Sequence, residues 1–372
     1  MKVLFIFDRV AHYHRDLFQT LDAEFPKYGL ELHLLSGIKQ ESAVGRVGLG
    51  EKIVSNEYKY HFAERQIGPY VLRQAIGIFG LLHDLRPHIV VCMGHVGNIS
   101  HWRLIQLKRK LGFKLVTWQC GYEYNPGMVK SFLLRQFVPR FDLHLAYHTN
   151  AKNYALQHGA DERSVTVIHN TINESRIPTL PKAEARAFLA SRYAKIGGKK
   201  ILLFVGAILK EKKIEVIIEA LNRLNRTDLI LLIVGDGPHL QVISELCKSR
   251  TDVLLTGQIV EGVGPFFDAS EMYLLPGTGG LGINEAMAHG LPILSGYADG
   301  SADDLVIDGE NGFRLMTDSA DELAERIAVV LDNADLAKRM GERSRAMIIG
   351  KFAFSEFISR VRLGISDLTL QL

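Results

Sequence analysis

Short apolar runs alternate with stretches of helical periodicity along the whole chain. In the first half, the apolar runs show little alternation of hydrophobic and polar positions, as expected of parallel strands buried on both faces. We predict strands at residues 3–7, 31–35, 88–92, 114–118, 142–146 and 165–168, and helices at residues 13–25, 70–85, 102–111 and 129–137.

The second half repeats this alternation. We predict strands at residues 201–205, 229–234, 253–255, 272–275, 293–295 and 313–315, and helices at residues 214–224, 239–247, 284–288, 320–331, 336–347 and 354–365. Two rounds of strand–helix alternation predict two doubly wound α/β domains. A polar stretch interrupted by Pro178 and Pro181 separates them.

Length and composition agree with this organisation. A chain of 372 residues fits two domains of ordinary size, and 47% hydrophobic with 23% charged residues are globular values. Three widely spaced cysteines indicate neither a disulfide framework nor a zinc pair. The first strand begins too early for a signal peptide, and no run of about 18 apolar residues occurs. We therefore expect a cytoplasmic protein.

The positive charge is concentrated in one region. The net charge is +3, but residues 65–152 hold 12 Lys and Arg against three Asp and Glu. Segments 102–111 and 130–140 mix cationic with apolar residues, a pattern that suits an anionic membrane surface, although a solvated face is the alternative. We expect peripheral contact with the inner face of a membrane and, because no nucleic-acid-binding module is visible, no nucleic-acid partner.

A glycine-rich loop at residues 276–282 leads from a predicted strand into a helix. Glycines let the backbone approach a ligand closely, and a helix N-terminus offers free N–H groups that suit a diphosphate. Glu285 in the first helical turn repels phosphate and is better suited to accepting hydrogen bonds from hydroxyls, such as those of a ribose. A tight turn that needs glycine only for packing is the alternative.

Four motifs follow one another in the second half: residues 204–213, 233–238, 276–290 and 308–313. In this order they resemble the family 4 glycosyltransferases of GT-B fold, which transfer sugars from nucleotide-sugar donors with retention of configuration. Residues 167–173 look like the interdomain segment of that family. The resemblance is strong over residues 165–315 and weaker before them.

The resemblance implies two facing Rossmann-like domains with an interdomain cleft. Residues 1–172 would form the acceptor-binding domain and residues 173–350 the domain that binds the nucleotide-diphosphate sugar. Residues 351–372 would form a helix that crosses back to the first domain. The reaction would need no metal and no cofactor.

The donor site is carried over residue by residue. Glu285 matches the Glu that binds the ribose, whereas Gly277 stands where relatives have a second Glu. Lys212, or Lys213, matches the phosphate-binding Lys, and Ala207 stands where Arg is usual. We predict Lys212 and Glu285 as catalytic residues. The further donor-binding candidates are Gly206, Lys210, Lys213, Gly279, Gly280, Leu281, Gly282 and Ile283.

The acceptor side is less sharply defined. Gln119 stands where many relatives have a His at a strand end, and His95 ends the preceding strand. His95 as an ordinary loop histidine is the alternative. Glu123, Arg9 and Arg15 are further candidates for contact with acceptor or sugar. Asp303 and Asp304 are interpreted as structural or surface residues and not as metal ligands.

These observations predict a retaining glycosyltransferase that acts on a glycan or lipid-linked acceptor in cell-surface polysaccharide or lipopolysaccharide synthesis. Two alternatives stay open. One is a non-catalytic nucleotide-sugar-binding subunit of a polysaccharide assembly, which the replacements at Gly277 and Ala207 make conceivable. The other is a nucleotide-sugar epimerase of the same fold.

Overall fold

The computed structural model describes residues 1–37, 52–67, 70–121, 127–259, 261–296 and 300–370. Contacts divide the chain into two compact units. Unit 1 contains the described residues up to Asn170 and those from Ser355 onwards. Unit 2 contains the described residues of Thr171–Phe354.

Unit 1 is built on a parallel sheet of seven strands, in the order β3-β2-β1-β6-β7-β8-β9, beside an antiparallel hairpin of β4 and β5. Its strands are β1 (Lys2–Phe7), β2 (Glu31–Gly37), β3 (Glu57–Tyr60), β4 (Phe62–Ile67), β5 (Tyr70–Ala75), β6 (Ile89–Cys92), β7 (Lys114–Gln119), β8 (Leu143–Ala146) and β9 (Val165–Val167). Its helices are α1 (Arg15–Glu24), α2 (Ile78–Leu85), α3 (Ile99–Leu111), α4 (Met128–Phe137) and α5 (Thr149–Gln157).

Unit 2 is built on a parallel sheet of six strands, in the order β12-β11-β10-β13-β14-β15. Its strands are β10 (Lys200–Val205), β11 (Leu229–Val234), β12 (Val253–Gly257), β13 (Met272–Leu275), β14 (Ile293–Ser295) and β15 (Gly312–Arg314). The remaining helices are α6 (Lys182–Arg192), α7 (Ile214–Leu224), α8 (Leu240–Cys247), α9 (Gly264–Asp268), α10 (Gly282–Ala288), α11 (Ser301–Leu305), α12 (Ala320–Asp332), α13 (Ala334–Ile349) and α14 (Phe354–Thr369).

Each sheet reverses its direction of growth once. In unit 1, β2 and β3 lie on one side of β1, and β6 and the strands after it lie on the other side. In unit 2, β11 and β12 lie on one side of β10, and β13 and the strands after it lie on the other side. This is the doubly wound arrangement, in which loops at the carboxyl ends of the two central strands diverge and leave room for a ligand. Each unit therefore has its own switch point.

The last helix packs within unit 1. The Phe357 ring lies 5.9 Å from the indole of Trp118, a fully buried residue of β7. Gly364 allows the close approach of α14 to β8, because a Cβ there would lie 3.2 Å from Leu145 Cδ2. Among the described residues, no helix is both long and apolar enough to cross a membrane.

Each of the twelve predicted strands is present, but the helix predicted at residues 70–85 is wrong in its first part. Tyr70–Ala75 is strand β5, which pairs with β4 and sets Arg73 opposite Glu64. The helix begins only at Ile78, after Gly77 with φ of 80°. Residues 70–75 form a strand because they pair with β4, and this pairing is not visible in the local periodicity of the sequence.

Candidate functional site

The switch point of unit 2 lies between β10 and β13, which are hydrogen-bonded neighbours in the sheet. Gly206 follows β10, and its N–H donates to the Val234 carbonyl at 3.0 Å. A Cβ on Gly235 would lie 1.9 Å from the Gly206 carbonyl oxygen. The amide of Gly206 is thus hydrogen-bonded within the fold. The absence of side chains at Gly206 and Gly235 lets the ends of β10 and β11 pack closely.

The loops that follow β10 and β13 interlock. The Thr278 N–H donates to the Glu211 carbonyl at 2.8 Å. A Cβ on Gly277 would lie 2.1 Å from that same oxygen and 2.6 Å from Lys212 Cα. The glycine at position 277 therefore has a structural reason: the backbone of residues 211–212 occupies the space that a side chain would need.

Lys212 ties the two loops together through its side chain. Its Nζ donates to the carbonyl oxygens of Thr278 and Gly279 at 2.5 and 2.6 Å. A Cβ on Gly280 would lie 3.8 Å from the same nitrogen. The ammonium charge is thus fixed against the glycine-rich loop.

The structure separates the three candidate lysines. Lys213 pairs through Nζ with Asp318 and has a left-handed backbone, with φ of 55°. Lys210 lies in the turn before α7 and is exposed. Lys212 is the lysine that contacts the glycine-rich loop.

The glycine-rich loop presents backbone donors. Within the described chain, the N–H groups of Gly279, Gly280, Leu281 and Gly282 have no intramolecular acceptor. Ile283 differs, because its N–H donates to the Gly280 carbonyl at 3.2 Å and its side chain is fully buried. Four amides beside a fixed ammonium group form an environment that favours an anion.

Tyr273 of β13, which sequence reasoning missed, positions the start of α10. Its hydroxyl donates to the Val205 carbonyl at 2.9 Å. A Cβ on Gly282 would lie 2.4 Å from the same hydroxyl oxygen. Burial, with a smaller contribution from Glu285, raises the pKa of Tyr273, so the hydroxyl stays protonated and keeps this bond.

Glu285 lies in the fourth position of α10. The side chain is half-buried, and no hydrogen bond joins it to another group in the described parts of the chain. Burial raises the pKa of Glu285, and the nearby His289 lowers it in part. The preceding Asn284 is buried and donates to Thr171 Oγ1 at 3.1 Å. A half-buried carboxylate next to these loop amides is suited to accept hydrogen bonds from neutral hydroxyl groups.

The acidic pair after β14 has structural contacts. Arg314 of β15 is buried and pairs with Asp303 at 2.5 Å. The Asp308 carboxylate accepts from the Arg314 N–H at 2.8 Å. Among the described residues, no group of three metal-ligating side chains is found.

The switch point of unit 1 lies between β1 and β6 and carries charged side chains. Arg73 of the hairpin bonds Glu64 at 2.9 Å and lies 3.8 Å from Asp8. Arg9 lies 3.8 Å from Glu64, and Arg15 is exposed at the start of α1. The switch point of unit 1 is thus lined by an ion-pair network, whereas the switch point of unit 2 presents backbone amides.

Two further candidates lie on the same sheet edge. The His95 ring is half-buried and stacks on His101 at 6.4 Å. Burial and the neighbouring His95 lower the pKa of His101 to about 4. Gln119 ends β7 and is only 9% exposed, and its Nε2 has no hydrogen-bond partner among the described residues. Glu123 lies outside the described residues.

Helix α4 of unit 1 has an exposed apolar surface. Met128 is 91% exposed and Phe132 is 64% exposed. Lys130 and Arg135 lie on the same helix, and an open pocket of about 310 Å³ borders it. The exposed apolar residues, which we call the α4 surface, are Met128, Val129, Phe132 and Leu133.

Comparison with known proteins identifies a family model and several relatives that match parts of this chain. Residues 186–347 match the model of the family glycosyl transferases group 1. An uncharacterized glycosyltransferase of Methanocaldococcus jannaschii is 26% identical over 231 residues, 59% of this chain and 57% of that protein. N-acetyl-alpha-D-glucosaminyl L-malate synthase of Bacillus anthracis is 24% identical over 233 residues, 56% of this chain and 61% of that protein. The chain thus spans about six tenths of the length of these relatives.

Solved structures resemble the whole chain. HepE of Anabaena, solved in complex with UDP-glucose, matches with a TM-score of 0.75 at 15% identity, over 99% of this chain and 99% of that one. Two units with parallel, doubly wound sheets and this likeness define a protein of GT-B fold, as predicted. The residues that match the glycosyl transferases group 1 model lie in unit 2, and the resemblance of the chain to GT-B glycosyltransferases is confirmed.

Proposed function

We propose that the protein is a retaining glycosyltransferase that moves a sugar from a nucleotide-diphosphate sugar to a glycan or lipid-linked acceptor. The observation that carries the proposal is the pair of interlocked loops at the switch point of unit 2. They place the Lys212 ammonium against four amides that have no intramolecular acceptor in the described parts of the chain, about one helical turn before Glu285.

Each group has a role in donor binding. The amides of Gly279–282 and Lys212 face the diphosphate, whose negative charges they match. Glu285 accepts hydrogen bonds from the two ribose hydroxyls, since a carboxylate is an acceptor only. The likeness to a protein solved with UDP-glucose supports a donor of this class.

Departure of the diphosphate needs stabilisation of developing negative charge. Lys212, the exposed Lys210 and the loop amides supply it without a metal ion, because preorganised donors stabilise such charge effectively. We propose a metal-independent reaction on these grounds. Gly277 and Ala207 leave this set of groups intact, which favours an enzyme over a non-catalytic binding subunit.

Unit 1 would supply the acceptor site. The Nε2 of Gln119 is buried and has no hydrogen-bond partner among the described residues, and an acceptor hydroxyl would satisfy it. His95, Arg9 and Arg15 lie on the same sheet edge and are candidates for further contacts. The role of Glu123 stays a prediction.

The α4 surface supports an acceptor that is held at a membrane. Exposed methionine and phenylalanine next to Lys130 and Arg135 match the interface of an anionic bilayer, where apolar groups insert and cations pair with headgroups. Such contact would bring a lipid-linked precursor of a cell-surface polysaccharide to the enzyme at the inner face of the membrane.

The test is a transfer assay with a panel of UDP-, GDP-, dTDP- and ADP-sugars, with and without a lipid extract. We expect release of one nucleoside diphosphate that depends on the extract, and a glycoside with the anomeric configuration of the donor. A changed sugar without a glycoside would identify an epimerase. Nucleotide binding without any turnover would identify a binding subunit.

A further inference from the structure

The hairpin of β4 and β5 lies over the switch point of unit 1. A Cβ on Gly37, the last residue of β2, would lie 3.2 Å from Phe62 Cδ2 of the hairpin and closer still to the carbonyl oxygen of Asp8. On the second hairpin strand, the Arg73 N–H donates to the carbonyl of Gly97, in the loop after β6, at 3.1 Å. The hairpin therefore reaches from the end of β2 to the loop after β6, across the end of β1.

Backbone contacts fix the hairpin in this place. Its strands, Phe62–Ile67 and Tyr70–Ala75, pair in register over their whole lengths. The Ala75 N–H donates to Oγ of Ser100, a buried residue of α3, at 2.8 Å. Half-exposed ion pairs add little to stability, so the hairpin does not depend on its charged side chains. Those side chains nevertheless stand in defined positions, because the backbone that carries them is fixed.

Four charged side chains gather at this switch point, and we call them the hairpin network: Asp8, Arg9, Glu64 and Arg73. They alternate in sign, since Arg73 lies between Asp8 and Glu64, and Glu64 lies between Arg73 and Arg9. Two of the charges are positive and two are negative. The hairpin network is therefore neutral as a whole.

The hairpin network has hydrogen-bonding capacity that the protein leaves unused. The Arg73–Asp8 and Arg9–Glu64 contacts are 3.8 Å long, which is beyond a hydrogen bond. Within the network, Nε of Arg73 donates to Glu64 Oε1 at 2.9 Å. No hydrogen bond to the Asp8 carboxylate is found among the residues that the structure describes. Carboxylate acceptors and guanidinium donors thus lie next to each other, ready for a ligand.

A sugar residue matches these groups. A hydroxyl group both donates and accepts hydrogen bonds, so neighbouring hydroxyls can bridge a carboxylate and a guanidinium. A phosphate or carboxylate group accepts only, and Asp8 and Glu64 would repel it. The loop after β1 adds aromatic surface, because the rings of His12 and Tyr13 lie 5.4 Å apart and are not buried. Ligand sites combine such rings with a few polar groups.

The excess positive charge of unit 1 lies away from the hairpin network. Three of the cations, Lys108, Arg109 and Lys110, are in the last turn of α3. This turn leads into the start of β7, so it lies at the opposite edge of the sheet from the switch point. Arg135 lies on α4. The charges that a ligand meets at the switch point are therefore the paired ones of the hairpin network.

We propose that the hairpin network binds an uncharged sugar residue of the acceptor, through hydroxyl groups that bridge Asp8, Arg73 and Glu64. The proposal rests on the proposed function and adds the chemical class of the acceptor to it. The residue that receives the transferred sugar is itself a neutral sugar, and not an acid or a phosphate. Arg73 is the central binding residue, because it is the cation that lies between the two carboxylates.

The first test is a ligand-observed NMR titration of the whole chain without nucleotide. The neutral probes are the methyl glycosides of glucose, galactose and mannose, and the corresponding uronosides, with a carboxylate at C6, are the matched anionic probes. We expect at least one neutral glycoside to bind at millimolar concentration, and its uronoside to bind at least about tenfold more weakly, because the carboxylates repel it. Failure of all three neutral probes to bind, or equal binding of the uronoside, would overturn the proposal.

The second test locates the bound glycoside. Arg73→Met should weaken its binding at least about tenfold, because hydrogen bonds from a charged donor are lost. Arg226→Met is the matched control: Arg226 also pairs with two carboxylates, Asp228 and Asp332, and its side chain is 26% exposed against 32% for Arg73, but it lies in unit 2. Melting temperatures show that both variants are folded. Unchanged binding in Arg73→Met, or an equal loss in the control, would contradict the assignment.

Glu64→Gln keeps the size of the side chain and removes one negative charge, so it tests why the site prefers a neutral ligand. The preference for the glycoside over its uronoside should fall from about tenfold to about threefold or less, since one of two repelling carboxylates is gone. An unchanged preference would refute the role of the hairpin network. Calorimetry with UDP and GDP is done separately. If neither nucleotide binds, the proposed function fails, whereas the glycoside titrations still decide which ligand the hairpin network takes.

Discussion

The two switch points of this molecule share one topology but present different surfaces. In unit 2 the strand-end loops interlock through backbone contacts and offer amides, with Lys212 as the fixed cation. In unit 1 the equivalent edge carries an ion-pair network of Arg73, Glu64 and Asp8. Backbone recognition suits a constant group such as a diphosphate, whereas side chains suit a group that differs between acceptors.

The largest effect is expected at Gly277. Gly277→Ala should lower the free energy of unfolding by about 3 kcal/mol and abolish nucleotide binding, because the new Cβ overlaps the backbone of residues 211–212. Gly80→Ala is the control: no atom lies within 4 Å of its Cβ position, and alanine should stabilise α2 by about 0.5–1 kcal/mol. Chemical denaturation measures both. A Gly277→Ala protein as stable as the wild type would refute the interlocked loops.

Lys212 gives the next largest effect. Lys212→Met should weaken nucleoside diphosphate binding about thirtyfold, or about 2 kcal/mol, since a charged hydrogen-bond donor to phosphate is lost. Lys213→Met should change the affinity less than about twofold, because Lys213 pairs with Asp318. Calorimetry on both variants tests this, and equal effects would contradict the separation of the two lysines.

The raised pKa of Glu285 should make nucleotide binding depend on pH. A carboxyl group whose pKa is raised by burial becomes protonated at a higher pH than usual, so affinity should fall as the pH is lowered through this pKa. The fall should approach about tenfold per pH unit below it. Glu285→Gln should bind weakly, with little dependence on pH. A variant that keeps the slope of the wild type would assign the titration to another group.

The α4 surface should contribute to membrane binding. The double variant Met128→Ser, Phe132→Ser should bind anionic phospholipid vesicles at least about tenfold more weakly, since full burial of each side chain is worth about 1.5–3 kcal/mol. The control pair Val242→Ser, Leu246→Ser removes two apolar groups, 47% and 49% exposed, at the same i, i+4 spacing on α8 of unit 2. Vesicle sedimentation measures both pairs. If the control loses as much binding, α4 has no special role.

Gln119 should give the smallest effect. Gln119→Leu removes a buried amide whose Nε2 has no partner among the described residues, so the free energy of unfolding should stay unchanged or rise by about 1 kcal/mol. The KM for the acceptor should rise severalfold while donor affinity stays constant. A marked loss of stability would show that the amide serves the fold of unit 1.

The sequence allowed most of the fold to be predicted, because buried parallel strands are short continuous apolar runs. It failed at Tyr70–Ala75, where pairing with β4 overrides a helical pattern. The glycine-rich loop and Glu285 were predicted from local motifs. Tyr273 was not, because its role depends on a hydrogen bond to Val205, which is distant in sequence.

The most direct test of the donor site is thermal stabilisation by UDP, GDP, dTDP and ADP, measured on the wild type and on Glu285→Ala. A nucleotide at 100 times its dissociation constant should add about 2.7 kcal/mol to the stability of the wild type. We predict that one nucleotide stabilises the wild type selectively and that the variant loses this response. No response to any of the four, or an equal response in the variant, would contradict a donor site built on the interlocked loops and Glu285.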